Sequence, residues 1–356
     1  MYFDNFIDNA FRAISHTHSF NESVTQKLLP LKKLPSPNGI ENFALPIISV
    51  TYTGKIGGAD SGFVSKRLSF LDLVLIRVAG VIFTYDTAVL KKAEYYPMAV
   101  TLPEPVLLKN ALEKDEEQQS ISLERLRKEV GASIEMINKY QPNYFFIDGS
   151  IVPQYQDKPR SDSKISNDYH TIVTLFEKLY NIAQKNNCTL ISTIEDLRGV
   201  RFKQLMEEYL DKNPIIKKDD LKNSTDSSLL DYFLLKGERT FCFPYTQNID
   251  SHAILRDIDS KWSKNILVFY IKASDFDRPL RVEFIASENR KESADKIASI
   301  VFALSSLHKE YSYPSVLIEA DLRARLNEED ISVVYDKLVD KIGPKIKMRR
   351  NSRPFN

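Results

Sequence analysis

Large apolar residues recur at three- and four-residue intervals at the start of the chain: Phe3, Phe6, Ile7, Ala10, Phe11 and Ile14. That spacing predicts an amphipathic helix over residues 2–15 that docks on a core or a partner. Residues 31–46 are proline-punctuated connection. Apolar runs around 46–60 and 70–85 then predict two strands of a β-hairpin, with Asp60 and Asp72 near its turn. Residues 106–118 read as acidic and irregular, and Gln118–Ser120 as a loop. From Ser122 the period becomes helical, with Leu123, Leu126, Val130, Ile134 and Ile137 on one side, Glu124 and Glu129 on the polar side, and a stop before Pro142.

The run Tyr144-Phe-Phe-Ile-Asp148-Gly-Ser is a strand that ends on an acid and turns. A helix near 168–186 and a buried strand at 189–194 complete a β-α-β unit of parallel character. Residues 211–228 are rich in Lys, Asp and Ser and predict a mobile loop or insertion. Strands at 265–272 and 280–286 form a second hairpin, and helices near 291–308 and 315–340 follow. Strands interleaved with helices predict an α/β fold.

The chemistry suggested by this pattern lies at two acids. Asp148, followed by Gly149, ends an apolar run, and Asp60 lies in Ile56-Gly-Gly-Ala-Asp60-Ser-Gly62. A carboxylate at a strand end beside glycine lets a ligand or metal approach the backbone. Two such strands side by side would bring two carboxylates to one Mg²⁺ or Mn²⁺, ions that prefer oxygen. Paired ions of that kind support phosphodiester hydrolysis. Asp-Gly-Ser is also ordinary turn chemistry.

Composition narrows the choice. With 49 basic and 48 acidic residues the chain is nearly neutral, so any nucleic-acid contact must be a local patch. Two cysteines in separate segments, no signal-peptide pattern and no membrane-length apolar run lead us to expect a cytoplasmic protein without a disulfide framework. Lys345, Lys347, Arg349 and Arg350 belong to a terminal stretch, 341–356, without one acid. It reads as a solvated tail or as a phosphate contact. Arg77 interrupts an apolar strand and reads as an ion-pair partner or a phosphate contact, and Lys66 and Arg67 flank the same segment. The five histidines stand outside these constellations, and no Ser/His/Asp or Cys/His nucleophile set is evident.

The order of Gly58-Ala-Asp60-Ser-Gly62, Asp72-Leu-Val-Leu-Ile-Arg77-Val-Ala-Gly80-Val, Phe146-Ile-Asp148-Gly-Ser150, Ser228–Thr240 and Ser312-Tyr-Pro-Ser-Val-Leu-Ile-Glu319-Ala-Asp321 resembles the NurA family of nucleases over about residues 50–340. The resemblance implies an RNase H-like mixed β-sheet core with flanking helices and peripheral helical additions. On this reading, residues 1–45 form an N-terminal helix and linker, 46–340 the nuclease domain and 341–356 a basic tail. It implies metal ligation by Asp60 and Asp148, with Asp72 where many relatives carry glutamate and Asp321 where some carry histidine. It also implies Mn²⁺ or Mg²⁺ as cofactor, and single- and double-stranded DNA as substrate. The further expectations are a homodimer, a HerA-type hexameric ATPase as partner, and 5′–3′ exonuclease action in double-strand-break end resection and homologous recombination, with endonuclease action also open. Glu195-Asp196 stands where the resemblance implies lysine in many relatives. That exchange leaves a rival reading, a weakened RNase H-like subunit that binds DNA and the translocase. A phosphatase-like hydrolase is less favoured, because Asp148-Gly-Ser lacks an Asp-x-Asp spacing.

Overall fold

A computed structural model of the chain describes residues 2–68, 71–109, 112, 114–195, 198–213, 221–222, 224–286 and 289–343. In chain order the elements are α1 (Tyr2–Leu28), β1 (Ala44–Pro46), β2 (Gly54–Arg67), β3 (Leu71–Asp86), β4 (Val89–Tyr96), β5 (Glu104–Lys109), α2 (Lys114–Tyr140), β6 (Tyr144–Asp148), α3 (Ser166–Lys185) and β7 (Thr189–Ile194). They continue with α4 (Arg201–Lys212), α5 (Asp226–Phe233), β8 (Glu238–Thr240), β9 (Phe243–Pro244), α6 (Ser260–Ser263), β10 (Ile266–Lys272), β11 (Leu280–Ile285), α7 (Arg290–Ser305), α8 (Ser315–Ala324) and α9 (Glu328–Ile342). No helix among the described residues is long and apolar enough to cross a membrane.

The chain divides into two compact units. One comprises Met1–Val50, Thr193–Gln247 and Asn265–Pro314; the other comprises Thr51–Ser192, Asn248–Lys264 and Ser315–Asn356. In the first, β10 pairs antiparallel with β11, β8 and β9, and β8 pairs with β1. Every residue of β10 is buried. Its aromatic core joins Phe43, Phe202, Phe233, Phe241, Phe243 and Tyr270. The apolar spacing at the N-terminus continues through Val24 and Leu28, which enter this core, so α1 is twice the expected length. Phe6, Phe11 and Ile14 remain exposed.

The second unit holds a mixed sheet in the order β7-β6-β2-β3-β4, with β5 also on β3. β2 and β3 form a long antiparallel ladder from Gly54↔Tyr85 to Arg67↔Asp72, and β6 runs parallel to β2. Side chains alternate between the faces of a strand, and β2 shows what covers each. A Cβ on Gly58 would meet Val316 and Leu317 of α8 at 3.2 Å, and one on Gly62 would overlap the carbonyl oxygen of Ala324. Ser61, on the opposite face, meets Glu129 of α2.

Several expectations change. β2 does not end at Asp60 but continues through Ser61–Arg67, because β3 supplies a facing ladder partner for every one of those residues. Asp60 is therefore mid-strand. Residues 106–118, expected to be irregular, hold most of β5, which pairs with β3, and α2 starts at Lys114, before the expected Ser122. Residues 211–228 include the end of α4 and the start of α5. The last helix breaks in two, with Asn327 capping α9.

Candidate metal centre

The parallel register of β2 and β6 sets the centre. Ala59 pairs with Ile147, so the next residues, Asp60 and Asp148, stand at the same level on the same face of adjacent strands, which run about 5 Å apart. Asp60 is buried, and its Oδ1 accepts the Ser61 N–H at 2.6 Å. Asp148 is half-buried and is followed by Gly149 at φ +75°, a left-handed conformation that glycine adopts readily. The Ser192 hydroxyl of β7 donates to the Gly149 carbonyl and pins this turn.

Glu129 is the residue that the sequence pattern misplaced. It is 2% exposed, not on a polar helix face. Its carboxylate accepts a short hydrogen bond from the Ser61 hydroxyl and a second from Arg125 Nη1 at 3.2 Å; the same guanidinium nitrogen donates to Ser61 Oγ at 3.2 Å. A glutamate four residues after an arginine reads as a surface ion pair. The available signal was the company at helical spacing: Leu126, Ser133 and Met136 lie three, four and seven positions away, and the last two are buried.

Burial, followed by the Asp148 and Glu129 carboxylates, pushes the Asp60 carboxyl up to about 8; Asp321 adds to the rise and the Ser61 N–H opposes it. Glu129 is pushed up to about 7, first by burial, with Asp148 adding and Arg125 and the Ser61 hydroxyl opposing. Four acids thus share one electrostatic neighbourhood. Asp321 arrives from α8, half-exposed, with Oδ2 2.9 Å from Arg325 Nη2.

Among the described residues, no three His, Cys, Asp or Glu side chains already stand as a metal cage. Glu129 is engaged by Ser61 and Arg125, and Asp321 by Arg325. The donor chemistry nonetheless fits a hard divalent cation: all four acids offer oxygen, and two carry carboxyls raised first by burial and then by neighbouring carboxylates.

The remaining sequence candidates lie elsewhere. Asp72 is buried opposite Arg67, seven positions along β3 from Ala79, the partner of Asp60. At about 3.3 Å per residue that is about 23 Å away, so the structure does not bring Asp72 to the other acids. Arg67 Nε lies 2.7 Å from Glu117, Lys66 Nζ lies 4.3 Å from the Tyr335 ring centre, and Arg77 Nη1 donates to the Arg325 carbonyl at 2.9 Å. All three side chains are engaged within this unit. Lys345, Lys347, Arg349, Arg350 and Asp196 lie outside the described residues, while Glu195 is exposed.

The NurA domain model matches residues 54–326. The chain belongs to the NurA family of nucleases. The crystal structure of the NurA nuclease from Sulfolobus solfataricus superposes with a TM-score of 0.56 at 15% identity, covering 96% of this chain and 98% of that one. A NurA structure with manganese gives 0.49 at 12% identity, covering 94% and 98%. NurA bound to dAMP and manganese gives 0.45 at 11%, covering 83% and 90%. No curated protein matches the sequence. The mixed sheet clad by helices bears out the expected α/β fold, which the chain shares with the Sulfolobus NurA nuclease.

Proposed function

We propose that this chain is a cytoplasmic manganese-dependent deoxyribonuclease that processes DNA ends as a homodimer with a HerA-type ATPase. The observation that carries the nuclease reading is the pairing of Asp60 with Asp148 on neighbouring strands, electrostatically coupled to Glu129 and Asp321. Asp60 and Asp148 would hold the ion, with Glu129 and Asp321 completing an all-oxygen set; Mg²⁺ is the alternative. The bound ion supplies Lewis acidity toward phosphate oxygens and activates water.

The protein's own part is placement. The β2–β3 ladder and the Gly149 turn fix the two strand carboxylates, while Arg125 and Ser61 orient Glu129. Acids crowded in a poorly hydrated site repel one another, and a cation relieves that repulsion where it binds. End resection, the 5′–3′ direction and the HerA partnership rest on family membership and have their own assays: end-labelled duplexes for direction and pull-down for the ATPase.

The deciding experiment incubates the protein with labelled single- and double-stranded DNA in Mn²⁺, Mg²⁺ or chelator. Cleavage in Mn²⁺ that chelator stops, and that Glu129→Gln lowers at least about 100-fold, is the expected result. A protein that binds DNA but leaves it intact in both metals returns the reading to a catalytically weakened subunit.

A further inference from the structure

A cavity of about 420 Å³ takes one acid of the cluster, Asp321, into its lining. Ser61, Phe63, Gln118, Arg125 and Arg325 line it as well. A second cavity, of about 590 Å³, shares Phe63 and Leu326 with the first. Phe63 thus lines both cavities, and it is 46% exposed although it lies within a strand.

Its placement follows from the sheet. β6 pairs with β2 only as far as Ala59↔Ile147, while β3 accompanies β2 to Arg67. Beyond Asp60, then, β2 has β3 as its only strand partner among the described residues. Phe63 stands two residues from Ser61 on the same face, about 7 Å along the strand. Arg325 lines the same cavity. Its backbone carbonyl is held by Arg77, but its guanidinium is 63% exposed and reaches Asp321. A fixed root with a solvent-facing head suits exchange of one anionic partner for another.

Resting on the nuclease reading above, we propose that Phe63 and Arg325 form a subsite for the unpaired nucleotide next to the scissile phosphate. The base stacks on the Phe63 ring, and Arg325 takes the adjoining phosphate. Stacking on an aromatic ring is tolerant of base identity, and a guanidinium grips phosphate through paired donors. A base still stacked and paired in a duplex cannot offer its face to the ring. The subsite therefore selects single-stranded or frayed ends.

The test uses the full chain with chelator, so that binding is read without cleavage. A single strand carrying 2-aminopurine near its end is titrated with protein, with a blunt duplex as comparison. Wild type should quench the fluorophore; Phe63→Ala should bind the single strand about tenfold more weakly, with little quenching, and the duplex unchanged. Phe63→Trp should keep both. Arg325→Gln should weaken binding and flatten its salt dependence. Should Phe63→Ala misfold by circular dichroism, Phe63→Leu decides, since it keeps the apolar bulk and loses the ring face. Unchanged affinity and quenching in either folded variant overturns the proposal, as does an equal loss on single strand and duplex. Cleavage by wild type in Mn²⁺, measured in parallel, shows whether the nuclease reading stands when the subsite fails.

Discussion

Each unit of the protein buries acids, and the two resolve the cost differently. In the first, Glu41 is buried against Arg239, which is itself 0% exposed. Arg239 Nη2 lies 2.6 Å from Glu41 Oε1, the same nitrogen reaches Asp295, and Nη1 donates to the Thr240 carbonyl at 2.9 Å; Glu41 Oε2 accepts the Cys242 N–H at 2.8 Å. Charge and hydrogen bonding are satisfied inside the protein. In the second unit, Asp60 and Glu129 are just as buried, but the largest charged influences on Asp60 are other carboxylates. One cluster is complete without a ligand. The other gathers carboxylates around a carboxyl, the arrangement that the proposed cation would complete.

The contrast can be broken by substitution. Asp148→Asn keeps the shape and removes a charge. It should lower Mn²⁺-dependent cleavage at least about 100-fold with the melting temperature maintained or raised; cleavage at the wild-type rate would sink the site assignment. Arg239→Leu should do the reverse. It leaves Glu41 buried without its cation and should cost about 3–5 kcal/mol of stability by denaturant titration, while any folded fraction retains cleavage.

A pH titration sharpens the same difference. Asp60 and Glu129 have carboxyls raised in the folded state, to about 8 and about 7. The folded chain therefore holds protons that the unfolded chain releases near pH 4. Between those values stability must fall as pH rises. Metal-free protein should melt at progressively lower temperature from about pH 5 to pH 8, and Asp60→Asn should flatten the slope. Mn²⁺ should stabilise most at the upper end, where it no longer competes with protons. A flat metal-free profile would contradict this account.

The smallest effect is expected at Asp72. Asp72→Asn should change cleavage less than about threefold, because some 23 Å of strand separate it from Asp60. A loss as deep as that of Asp148→Asn would place Asp72 back among the ligands.

These outcomes track what was legible in the sequence. Asp148 stood out because an apolar run ended on an acid and a glycine, although Asp-Gly-Ser is also ordinary turn chemistry. Asp60 was visible beside its glycines, but its neighbour was misjudged. The polar residues Ser61, Ser65, Lys66 and Arg67 looked like a turn, whereas an edge exposed beyond β6 tolerates them within a strand. That shift in where β2 ends is what carries Asp72 away. Glu129 was hidden for a different reason: a helix pattern gives angle but not depth, and only the approach of Ser61 shows that the angle points inward.

Gly62 carries one further consequence. Nothing separates the main chain of β2 from the carbonyl of Ala324 at that point, and no side chain fits between them. The gauge between strand and helix is therefore set by missing atoms, and it sits between the residues that deliver Asp60 and Asp321. Divergence has almost no gradual route at this position: a single methyl group would push the end of α8 outward, carrying a carboxylate and its arginine with it.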